Sequence, residues 1–146
     1  MTTPLEHQRY INKFIWVPYY KRIGRFGSPL SSKVDDRTPI FWTAVSGNSL
    51  YFVNNSTEIL DCVKVKTGGF QTCDEGIFIV NTDEYSYKYH SVVPLEAVKI
   101  DEYDVYLDSD FILQRRIIVK STMYGDLELL TKPEKGGISS CVLMWE

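Results

Sequence analysis

The sequence lacks most of the signatures that announce a chemistry. It has no C-x-x-C pair, and its three cysteines, Cys62, Cys73 and Cys141, lie far apart. Neither a redox motif nor a zinc knuckle is supported. The thiols are expected as ordinary packed groups, with a Cys62–Cys73 bridge as the oxidised alternative. Only two histidines are present, His7 and His90. A zinc site needs three or four ligands, and a nucleophile needs a positioned base. No local spacing provides either, so no metal and no cofactor are expected. Gly24, Gly27, Gly68 and Gly69 lack the spacing of a phosphate loop. The longest apolar runs, such as Val142-Leu143-Met144-Trp145, fall far short of the roughly 20 residues that span a bilayer. The first nine residues are polar and do not resemble a secretory signal, so the cytoplasm is the expected compartment. Two overlapping glycosylation sequons begin at Asn54 and Asn55, which that compartment would leave unused.

What the chain does have is aromatic mass. Ten Tyr, seven Phe and three Trp in 146 residues favour pleated surfaces. Apolar residues make up 44%, enough for a core that needs no staple. Strand-like runs recur at 40–45, 50–53, 59–66, 77–80, 85–89, 92–100, 111–120, 123–131 and 138–145. Turn signals separate them: Gly47-Asn48, Asn54-Asn55-Ser56, Gly68-Gly69, Gly125-Asp126 and the 132–137 loop. This is the grammar of an all-β, mainly antiparallel sandwich or barrel. Helical periodicity is confined to the start, where the capping signals of Thr3, Pro4 and Glu6 and the spacing of Leu5, Tyr10, Ile11, Phe14 and Ile15 predict a short helix or turn over 4–13, leading into an extended arm that Pro18 keeps from being helical. A single domain over 1–146 is expected, with an N-terminal arm and loop over 1–39 and the sandwich over 40–146.

The strand ending in Asn54-Asn55-Ser56, the alternating run 59–65 and the segment Val93-Pro94-Leu95-Glu96-Ala97-Val98 together resemble immunoglobulin-like sandwiches. The resemblance spans about a third of the chain and implies a fold only. The Cys–Trp–Cys core of antibody domains is absent.

Charge is polarised along the chain. Residues 1–37 carry a net +4, residues 58–110 a net −8, and residues 111–146 a net +1. The densest acidic run is Asp101-Glu102-Tyr103-Asp104-Val105-Tyr106-Leu107-Asp108-Ser109-Asp110. Three readings compete there: a solvated loop, a calcium site, or a docking face. EF-hand spacing fails, because no central Gly and no closing Glu are present. A docking face uses Asp101, Glu102, Asp104, Asp108 and Asp110 to meet a basic partner, with Tyr103 and Tyr106 as amphipathic anchors. The basic, aromatic stretch 13–26 could track a single-stranded nucleic acid. The same letters also describe a blunted edge strand, so nucleic acid is not expected as the partner. The favoured expectation is a non-enzymatic protein-binding module, of which a bacterial immunity protein neutralising a toxin is one kind. The alternative is an assembly component of phage or secretion-system type, self-associating through its N-terminal arm.

Overall fold

The computed structural model describes residues 8–22, 27, 33–73, 76–80 and 85–146, with residues 69–73 and 76–80 described by their backbone. In chain order the elements are β1 (Arg9–Ile11), a 3-10 turn (Tyr19–Lys21), β2 (Pro39–Ser46), β3 (Ser49–Asn54), β4 (Leu60–Cys73), β5 (Gly76–Val80), β6 (Tyr87–Val92), β7 (Glu96–Glu102), α1 (Val105–Asp108), β8 (Ile112–Ser121), β9 (Gly125–Leu130), β10 (Glu134–Lys135) and β11 (Cys141–Trp145). They form two antiparallel sheets. One sheet runs β1-β7-β3-β2-β11. In the other, β4 and β8 pair centrally; β5 and β6 share the far edge of β4, and β9 and β10 share the far edge of β8.

The core lies between the sheets because alternate residues of each point inward. Phe41, Leu50, Phe52, Val98 and Ile100 from the first sheet meet Leu60, Val63, Val65, Tyr87, Tyr89, Val92, Ile117 and Val119 from the second. Tyr89 also crosses the layer, its hydroxyl donating to the Lys99 carbonyl at 2.6 Å. The first sheet buries its other face as well. Trp42, Ala44, Tyr51, Val53 and Ala97 pack there against Phe14 and Trp16 of the arm.

Three sequence expectations meet corrections. Residues 9–11 form a strand, not part of a helix; residues 4–7 lie outside the described residues. Tyr, Ile and Asn are weak helix formers, whereas the edge of β7 offers a ready ladder. The Arg9 guanidinium fixes the register by a two-point pair with Glu96, at 3.0 and 3.1 Å. Second, Gly68-Gly69 does not end a strand. The β4–β8 ladder runs unbroken from Cys62 to Phe70, and its hydrogen bonds override the entropic cost of two glycines. Third, Cys62 and Cys141 are free thiols, buried and half-buried as expected, but the oxidised alternative for the cysteines fails, because Cys62 and Cys73 belong to one continuous strand. Eleven residues of strand separate those two by about 36 Å, far beyond the reach of a disulfide.

The turn after β3 is built around a buried side chain. Asn54 has no solvent exposure; its amide donates to the carbonyls of Glu58 and Val92, and its Oδ1 accepts from Ser56. The first sequon is therefore sealed inside the fold.

Candidate functional site

The acidic run forms the connection from β7 to β8, and its residues separate by role. Its first member is turned inward by a bulge. Leu50 pairs with Asp101 but Tyr51 pairs with Lys99, so Ile100 is an extra residue. A bulge lets two successive side chains share one face. Ile100 enters the core, and Asp101 then points at Arg115, a β8 residue with no solvent exposure. Arg115 Nε donates to Asp101 Oδ2 at 2.7 Å. Burial raises the Asp101 pKa, and the adjacent guanidinium offsets that only in part. The two terminal nitrogens of Arg115 have no hydrogen-bond partner among the described residues, and neither does the hydroxyl of Thr67, which sits directly opposite Arg115 on β4.

Glu102 reaches back to Lys99 at 3.1 Å. Tyr103 is buried, and its amide donates to the Asn48 carbonyl. It anchors the connection to the β2–β3 turn rather than facing outward. Asp104 then caps α1: its Oδ1 accepts from the amides of Tyr106 and Leu107 at 2.9 and 3.2 Å. The Asp104 amide donates in return to Asp108 Oδ2 at 2.8 Å. This reciprocal pair is why one helical turn forms where no helical periodicity exists. Its consequence is presentation. Val105, Tyr106 and Leu107 are 57%, 95% and 72% exposed, held between the capping carboxylates with Asp110 exposed just beyond.

The docking face expected over 101–110 thus comprises a presented part and a structural part. Asp104, Tyr106, Asp108 and Asp110 lie at the tip, beside Glu102; Asp101 and Tyr103 hold the tip in place. Sequence reading missed Val105 and Leu107 as exposed apolar neighbours. Their signal was the Asp-x-x-x-Asp spacing from Asp104 to Asp108, which caps a single turn.

The other aromatic surface is the arm on the first sheet. Trp16 meets Trp42, Tyr19 and Trp145 edge-on at 5.3, 5.5 and 5.6 Å. The cations of this stretch stack on its own rings. Lys13 lies over Tyr10 at 4.1 Å, and Arg22 over Trp16 and Tyr19 at 4.6 and 4.8 Å. A shallow groove of about 390 Å³ remains between the arm and β2, lined in part by Phe14, Val17, Arg22 and Trp42. The aromatics of residues 13–22 are thus engaged inside the chain, and residues 23–26 of that stretch lie outside the described residues. Among the described residues no three metal-ligating side chains converge, and no helix is long and apolar enough to cross a membrane. No protein-family model, no curated protein and no solved structure matches this chain.

Proposed function

We propose that this domain is a non-enzymatic binding module whose β7–β8 tip docks on a basic protein surface. The observation that carries the reading is Tyr106. A tyrosine at 95% exposure contributes nothing to its own fold, yet the backbone beneath it is fixed by a two-way cap. Rigid, presented aromatics are what binding hot spots use. Carboxylates around such an anchor steer a positive partner and speed encounter. A cytoplasmic immunity protein that covers a toxin fits this arrangement. The immunoglobulin-like reading of the sandwich draws support from the paired antiparallel sheets and from the chain crossing between them after β3, β6, β7 and β10.

Assembly through the arm is the second reading, and it has an observation of its own. The arm joins the domain by a three-residue strand and two aromatic anchors, a unit small enough to be exchanged with a neighbour.

The test uses the purified product of an adjacent reading frame as partner. Reversing Asp104, Asp108 and Asp110 to Lys is expected to slow association at least tenfold at low salt, and Tyr106→Ala to speed dissociation by a similar factor. Unchanged rates with folded variants would remove the tip from the interface.

A further inference from the structure

The outer face of the second sheet carries a charge pattern that the linear sequence conceals. Val63, Val65, Tyr87, Ile117 and Val119 point into the core, so the residues alternating with them point outward. Register then sets Lys64 directly opposite Lys88, and Lys66 directly opposite Arg116. Like charges facing each other across a ladder are destabilising, and this face holds two such pairs side by side. Lys120 lies on the same face, opposite Asp126. Arg116 has a partner in Glu128 at 2.8 Å. Among the described residues no carboxylate lies within ion-pair distance of Lys64, Lys66 or Lys88. Tyr85 completes the cluster, with the Lys64 and Lys66 ammonium groups 5.3 and 4.7 Å from its ring.

We infer that this face binds a single-stranded nucleic acid. Flexible ammonium groups on a sheet face can follow a phosphate backbone, and an aromatic ring among them gives a base something to stack on. The acidic tip of a second copy is the competing occupant by charge. That tip presents three apolar side chains, while among the described residues this face offers Ile118, Tyr85 and, beside Arg116, Leu130, each set among cations rather than joined into one apolar patch. A nucleic acid asks for little apolar surface and satisfies all three lysines at once. The inference is independent of the tip's partner, since the tip lies in the β7–β8 connection.

The probe is a fluorescein-labelled 20-mer of uridylate, followed by anisotropy from 50 to 200 mM salt. Binding is expected at 50 mM and should weaken steeply with salt. Replacing Lys64, Lys66 and Lys88 with Gln should loosen it at least tenfold and reduce the log–log salt slope by about 2, at roughly 0.7 per phosphate contact. Tyr85→Leu should weaken it several-fold with little change in slope. The triple variant should melt no lower than the parent, because it relieves repulsion. Absence of binding at 50 mM overturns the inference, as does binding indifferent to the triple change or weakened equally by Lys21→Gln in the arm, which packs on the outer face of the other sheet. Sedimentation showing a self-association that the triple variant abolishes would reassign the face to a second copy.

Discussion

Arg115 is a charged residue held wholly inside the fold. A fully buried guanidinium loses its hydration, and one carboxylate at 2.7 Å returns only part of that loss. Removing either partner alone strands the other charge. Arg115→Ala is therefore expected to destabilise the domain by about 3–5 kcal/mol, whereas Arg115→Met combined with Asp101→Leu should be neutral or stabilising. Urea unfolding of the two variants checks this, and equal losses would contradict it. Tyr87 is a second residue with a readable cost. Burial, with the nearby Asp101 and Glu102 charges adding to it, pushes its phenol up to about 12. An unfolded chain releases that proton near pH 10, so between pH 10 and 12 the native state holds more protons than the unfolded one. Stability should then fall as pH rises through that window, by at most about 1.4 kcal/mol per pH unit. Tyr87→Phe should flatten the decline in alkaline titrations monitored by circular dichroism; an identical slope would show the phenol is not the source. Neither residue could be singled out beforehand. Arg115 and Arg116 are neighbours in sequence, and only strand parity puts one in the core and the other in water.

At the scale of elements, the arm and the tip show how local chemistry and tertiary partners divide the work. The tip was visible as an acidic run, but its cap and its buried Tyr103 depend on where β7 ends and where the β2–β3 turn lies. The arm looked helical because Tyr10, Ile11, Phe14 and Ile15 approximate a helical stripe. An available sheet edge and a second apolar face on the first sheet outweighed that weak local preference. If Trp16 is the clasp of the arm, Trp16→Ala should cost about 2 kcal/mol, roughly half of what a fully buried ring would. Limited proteolysis should then cut within residues 12–22 before the body of the domain. Unaltered stability and protection would mean that the arm is held by its strand alone. Gel filtration of the same variant separates the two functional readings, because a dimer that dissociates on losing Trp16 would identify an exchanged arm.

For the whole molecule, the charge map has more structure than its net −3 suggests. Acidic groups gather at the β7–β8 connection, and a lysine face occupies the outside of the second sheet. Along the sequence those lysines look scattered through the most acidic third of the chain, so the segment reads as a negative surface.

The amino-acid order alone determined that this chain is built of antiparallel strands, and roughly where most of them turn, Gly68-Gly69 being the exception. Those properties are local: alternation writes the strand, and Gly, Asn and Asp write the turn. Tertiary structure alone decided which strands pair, in what register, and what each face carries. A side chain's cross-strand neighbour comes from a distant part of the sequence, and one bulged residue at Ile100 reverses every side chain beyond it.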